Sequence, residues 1–223
     1  MKKRTFLTML LVGGLIMMGL AGCGENKNSR EWIENKVSEV SRVYPTENLY
    51  DLFKQFPEGF EVYQVYMNDK VSIKIYLTGN SQFKTITGKL IRKDLKSENK
   101  TDIIDVNYIE QKFIFSDEER AKEIWELNGF LFQELTINKS ILSEFTLESQ
   151  SYDSVTNGFD ISYSVSNPII NKFFRKSSSK NSTLEFGSSL QNNDYYYYSV
   201  VIDYKYGYYF RETVSNGELN NGE

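Results

Sequence analysis

Cysteine occurs once in the 223 residues, at Cys23, directly after Leu20, Ala21 and Gly22. A thiol in that position is the nucleophile needed for a diacylglyceryl thioether. The Gly22–Cys23 peptide is then the cleavage point, and Cys23 becomes the first residue of the processed chain. The residues in front have the three parts of an export leader: basic Lys2, Lys3 and Arg4, an apolar run from Phe6 to Leu20, and small Ala21 and Gly22. That run is about 15 residues long, short of the roughly 20 that a membrane-crossing helix requires. A cleaved leader over residues 1–22, with Gly22 and Cys23 as the processing site, is therefore predicted in preference to a spanning anchor. Two acyl chains hold a protein on a bilayer, since each buried methylene contributes about 0.8 kcal/mol.

Other chemistry is restricted by absences. There is no histidine, which removes Ser-His-Asp and Cys-His catalysis and the usual histidine-bearing zinc sites. What survives is carboxylate-pair chemistry, a Ser-Lys or tyrosine scheme, or calcium held by oxygen atoms alone. The spacing Ser-x-x-Lys occurs at Ser81/Lys84, Ser97/Lys100 and Ser177/Lys180. With 23 serines and 19 lysines, about two such pairs arise by chance, and no Ser-Asp-Asn or Lys-Thr-Gly companion accompanies them. Asp117, Glu118, Glu119 and Glu123 crowd one stretch, but acidic residues belong in the first turn of a helix through its dipole. No catalytic residue, cofactor or metal ligand is predicted, and the chain is read as a non-enzyme.

Eight of the sixteen tyrosines fall between Asp194 and Arg211. Tyrosine combines a rigid face with a hydroxyl and is favoured where molecules grip one another, and it is also a good strand residue. Tyr196, Tyr198, Tyr206 and Tyr208 are the candidate binding residues, on a hairpin turning at Gly207.

The elements that must carry these residues follow from periodicity. Ile33, Val37, Val40 and Tyr44 repeat at helical spacing over 31–44 with Ser29 as a cap, and Leu49, Leu52, Phe53 and Phe56 repeat again between Thr46 and Pro57. The period then drops to two. Strands are expected over 60–67, 71–77, 82–92, 102–108 and 112–115, the first two joined by a turn at Asn68-Asp69. Ser116 with Glu119 predicts a capping box and a helix to about Glu134. Residues 136–157 read as a linker with a short strand near 145–147. A strand over 159–165, a short helix from Asn167-Pro168 and the tyrosine hairpin complete the pattern. The expected class is α+β, antiparallel sheet packed by a few helices, in two weakly similar helix-then-strands halves, 31–135 and 158–214, of one domain spanning 31–214. Residues 23–30 are the lipidated start and tether, and 215–223 a disordered tail.

Three of the 26 basic residues lie in 1–22, leaving 23 against 30 acidic ones, a formal charge of about −7. Such a chain lacks the basic footprint of a nucleic-acid binder. With its one cysteine lipidated it has no disulfide, so core packing carries its stability.

The Cys23 lipobox, Tyr44-Pro45-Thr46-Glu47-Asn48-Leu49-Tyr50-Asp51-Leu52, the strand 83–92 with Thr87-Gly88, and residues 105–115 leading into the helix from Glu118 together resemble the staphylococcal tandem-lipoprotein family of surface antigens. A fainter match covers 163–175 and Leu184-Glu185-Phe186. The segment that members carry after the second helix is shortened at 57–70, and the C-terminal hairpin is unusually aromatic. The resemblance implies a lipoprotein on the outer face of the cell membrane, its domain extracellular, associated with host-cell contact and immune sensing of the lipidated end. It implies no enzymatic residues. Its partners are then the membrane, through the diacylglyceryl anchor, and a host or cell-surface protein. The alternative is a small-ligand or glycan-binding module using the tyrosine hairpin.

Overall fold

The computed structural model describes residues 25–97, 101–176, 181–189, 196–204 and 208–217. Cys23 and Gly22 lie outside the described residues. The class is α+β: among the described residues ten strands form one antiparallel sheet, with five short α-helices and three 3-10 turns. The strands are β1 (Gly59–Met67), β2 (Val71–Asn80), β3 (Thr85–Asp94), β4 (Thr101–Ile109), β5 (Lys112–Phe115), β6 (Thr146–Tyr152), β7 (Gly158–Val165), β8 (Ser182–Ser189), β9 (Tyr197–Tyr204) and β10 (Tyr208–Ser215). Their spatial order is β5-β4-β3-β2-β1-β10-β9-β8-β7-β6. Each half is a meander, but the first runs from the centre of the sheet to its edge and the second from the opposite edge back. The order of strands therefore does not repeat between the halves. They are welded by β1 against β10, with Val62 opposite Val214 and Gln64 opposite Glu212.

One face of the sheet is apolar because alternate residues of each strand point to it. Val62, Leu77, Val106, Val200, Phe186 and Ile161 are all buried there. The α-helices α1 (Arg30–Val37), α2 (Leu52–Gln55), α3 (Glu118–Ile124), α4 (Lys139–Glu144) and α5 (Pro168–Phe173) lie with their connections over this face. Phe53 of α2 meets Phe60, Trp125 meets Phe113, and Phe174 after α5 meets Phe210. Ser29 caps α1 through its hydroxyl, which accepts from Trp32 N at 3.2 Å. Asn167 caps α5 by accepting from the Ile169 and Ile170 N–H groups. The β1–β2 turn is set by Asn68, whose Oδ1 accepts from Lys70 N and Val71 N.

Several boundaries differ from the sequence pattern, each for a local reason. The first helix tightens into a 3-10 turn over Ser38–Arg42, where the Ser38 hydroxyl donates back to Asn35 O. The helix expected to reach Glu134 stops at Ile124, and Asn128 takes a left-handed φ of 54° just before Gly129. Its cap is Asp117, not Ser116, while Glu118 reaches back to accept from Phe115 N. The expected linker 136–157 instead holds α4 and the edge strand β6. Ser215, expected to open the tail, is fully buried as the last residue of β10, pairing with Glu61 and Tyr197. Residues 218–223 lie outside the described residues.

At the centre of the apolar face sits a carboxylate. Glu212 is fully buried and accepts four hydrogen bonds, from Tyr44 Oη (2.8 Å), Phe132 N (2.9 Å), Leu131 N (2.8 Å) and Gln64 Nε2 (3.0 Å). Gln64 is satisfied in turn: it donates to Gly129 O at 3.0 Å and accepts from Trp125 Nε1 at 3.2 Å. Thr46 N donates to Phe132 O at 2.9 Å. The two irregular segments around Tyr44 and Phe130–Phe132 are thus tied to β1 and β10 through one side chain. Burial raises the Glu212 pKa, opposed by the four donors.

Two stability outcomes follow. Glu212→Gln places an amide N–H against existing donors at one of the two oxygens, and should lower stability by about 2 kcal/mol or more. Tyr44→Phe, which removes only one donor, should cost about 1 kcal/mol, and chemical denaturation of both variants orders them. At Gly88 an added Cβ would lie 1.8 Å from Tyr76 O, whereas at Gly129 the nearest atom is Gln133 Oε1 at 3.5 Å. Gly88→Ala should therefore sharply reduce folded yield and melting temperature while Gly129→Ala leaves both close to wild type.

Candidate functional site

The register decides which tyrosines of the hairpin face which way. On β9 and β10 the even-numbered residues Tyr198, Val200, Ile202, Phe210 and Val214 share the apolar face, so Tyr196, Tyr198 and Tyr208 lie on the helix side. Tyr206 falls outside the described residues. Tyr196 and Tyr198 are 5% and 7% exposed, with rings 4.8 Å apart. Tyr208 pairs with Tyr204 at the other end of β9, six residues and about 20 Å from Tyr198 along the strand. The structure brings Tyr196 and Tyr198 together and sets Tyr208 apart.

Tyr196 and Tyr198 line a cleft of about 980 Å³ beside the start of the described chain, with Trp32, Arg42 and Phe56. The Tyr198 hydroxyl donates to Lys36 O at 3.0 Å. Burial pushes the Tyr198 pKa up to about 12, helped by Glu39 and opposed by Arg42. Burial likewise raises Tyr196, with Tyr198 adding to it. Both hydroxyls stay protonated near neutrality, and that of Tyr198 is a hydrogen-bond donor.

Tyr208 belongs to a smaller pocket of about 200 Å³, floored by Ile73, Ile75, Trp125 and Phe174. It stacks on Tyr66 at 5.9 Å, and Lys176 Nζ sits 3.8 Å from its ring centre. Burial, then the neighbouring Tyr208, pushes Tyr66 up to about 12.

Tyr197 and Tyr209, at odd-numbered positions of β9 and β10, face the opposite side of the sheet, where the sequence pattern did not place a site. Tyr197 and Tyr209 flank an outer cleft of about 500 Å³ with Asp160, Glu185, Asp203 and Arg211. Arg211 is held in place, donating from Nε to Ser199 Oγ at 2.7 Å and from Nη2 to Tyr197 Oη at 3.0 Å. Burial raises the Glu185 pKa, reinforced by Asp160 and opposed by Arg211. Gly187 leaves room above Asp160, whose Oδ1 would be 2.9 Å from an added Cβ. Carboxylates, a fixed guanidinium and two aromatic faces can together hold polar groups by hydrogen bonds. The sequence signal for this cleft was parity: Phe210 and Val214 must be buried, so Tyr209 and Arg211 point away.

Ser81 and Lys84 form no dyad. The Ser81 hydroxyl donates to Glu58 O, and Lys84 Nζ lies 4.6 Å from the Phe53 ring centre. In the acidic stretch, Asp117 caps α3 and Glu123 pairs with Arg120 at 2.6 Å. Among the described residues no group of three or more carboxylates and thiols is placed to hold a metal ion, and no helix is long and apolar enough to cross a membrane.

No described protein family matches the chain, and no curated protein does. Among solved structures, LprF from Mycobacterium bovis is similar at 9% identity with a TM-score of 0.37, over 85% of this chain and 97% of that one.

Proposed function

We propose that this chain is a lipoprotein held on the outer face of a cell membrane by a diacylglyceryl group on Cys23. Its extracellular domain contacts another protein without catalysing a reaction. The lipobox residues support the anchor. The resemblance to the staphylococcal tandem-lipoprotein family supports contact with host cells and immune recognition of the lipidated end. The observation that carries the contact role is the outer cleft, where Tyr197, Tyr209 and a fixed Arg211 stand beside Asp160, Glu185 and Asp203 on the sheet face away from the helices. Tyrosine and arginine are enriched at contact surfaces, and three carboxylates favour a partner that presents lysine or arginine. A second reading, glycan binding, draws on the same cleft: tyrosine faces can pack on a sugar ring while carboxylates and the guanidinium hydrogen-bond its hydroxyls.

Cys23→Ala should accumulate as an uncleaved precursor that takes up no labelled fatty acid; cleavage after Gly22 with retention on the membrane would refute the anchor. For the contact role, the wild-type chain should capture a defined protein from intact cells. Asp203→Lys and Tyr209→Ser should weaken that capture by about tenfold each. Saturable binding of sugars with no protein captured favours the glycan reading instead, and neither kind of binding rules out both.

A further inference from the structure

The cleft on the helix side sits where the chain leaves its anchor. Glu25 lines it and is two residues from Cys23, so an extended chain separates their Cα atoms by at most about 7 Å. With Cys23 lipidated, the mouth of this cleft lies at the level of the lipid headgroups. This placement rests on the anchor proposed above.

The lining suits that depth. Lys27 and Lys36 Nζ stand 6.0 and 5.5 Å from the Trp32 ring centre, and the Arg42 guanidinium stands 5.2 Å from that of Tyr196 and 5.7 Å from that of Phe56. Among the described residues none of the three cations has a carboxylate within ion-pair distance, although Glu25, Glu39 and Glu58 line the same cleft. The Lys27 ammonium also donates to Tyr152 Oη and the Arg42 guanidinium to Gln55 O, each at 3.4 Å, and a cation over an aromatic face still has further N–H donors to offer. A second observation is independent of charge: the Tyr196 side chain is 5% exposed and its hydroxyl has no hydrogen-bond partner among the described residues. A buried donor without an acceptor is costly, and a shift of the ring that opens this hydroxyl to the cleft would let a phosphate oxygen supply one. Phosphate is also the group that guanidinium and ammonium donors bind best.

We infer that this cleft holds the phosphate of a glycerophospholipid headgroup in the leaflet that anchors the chain, so that the domain grips the membrane at a second point beside Cys23. Two attachments on one chain act together, because the first keeps the second at high effective concentration.

The test uses the full chain purified from membranes in mild detergent. Mass spectrometry of Cys23 reads the anchor, and titration with dihexanoyl phosphatidylglycerol, followed by Trp32 fluorescence in a Trp125→Phe background, reads the cleft. Saturable binding is expected, weakened by about tenfold or more in Arg42→Glu and in Lys36→Glu and unchanged in Lys93→Glu, an exposed lysine on β3. Thermal melts equal to that of the Trp125→Phe parent establish that the variants are folded. Inorganic phosphate that saturates the cleft as tightly as the lipid marks a free-anion site and overturns the headgroup assignment. Lipidated Cys23 with no lipid binding, or with binding indifferent to both reversals, overturns it while leaving the anchor intact. Binding to a chain that carries no lipid on Cys23 retains the headgroup chemistry and refutes the anchor.

Discussion

A single carboxylate makes the irregular parts of this molecule part of its sheet. Glu212 projects from β10 into the layer between sheet and helices, where a charge without partners would be expensive. All four of its hydrogen-bond partners are donors, and two are backbone N–H groups of a segment with little regular structure of its own. The arrangement fixes Phe130–Phe132 over β1 and β10, and Phe130 and Phe132 then stack at 5.2 Å. Gln64 extends the same network to Trp125, the aromatic that closes the core over β5. Removing an apolar contact here would loosen one neighbour, whereas removing the carboxylate disconnects three segments.

A second buried acid repeats the logic at the edge of the sheet. Glu34 of α1 accepts from Tyr163 Oη at 3.0 Å and pairs with Arg30 at 2.8 Å. Arg30 also donates to the carbonyls of Leu142, Ser143 and Phe145 at the end of α4, groups that a helix leaves unsatisfied. The same cation neutralises one helix's acid and caps another helix. With no disulfide in reach, such polar clasps and the aromatic packing between them locate the short helices, none of which exceeds eight residues among the described residues.

Much of this is legible in the sequence where one face of an element is apolar. The alternation Val71, Ile73, Ile75, Leu77 identifies β2, and Asn68 its turn, because both signals are local. Strand β6 is not legible, since an edge strand buries little: Leu147 is the one aliphatic residue among Thr146–Tyr152. The hairpin misleads for a different reason. Four tyrosines in succession, Tyr195 to Tyr198, have no alternation, so the faces of Tyr196, Tyr197 and Tyr198 can be read only from Val200, Ile202 and Phe210 further along. Tyr196, Tyr198 and Tyr208, picked at even positions, consequently belong to the core side, and the outward pair Tyr197 and Tyr209 was there to be found by counting from Phe210. Glu212 obeys the same parity, and a glutamate at a core position signals a buried network. No local pattern, however, could name Tyr44 or Phe132 as its partners.

The pairing of β1 with β10 also governs the order in which the molecule can be completed. The first and last strands are neighbours at the middle of the sheet, and about 150 residues of chain separate Gln64 from Glu212, which face each other across that seam. A chain delivered N-terminus first, through a ribosome or a membrane channel, can form the β1–β5 meander early. One flank of β1 then keeps its backbone groups unpaired until the C-terminal hairpin arrives. The carboxylate that organises the interior is delivered by that same last strand. Final packing is thereby deferred until β10 has emerged, and until then the polypeptide stays threadable.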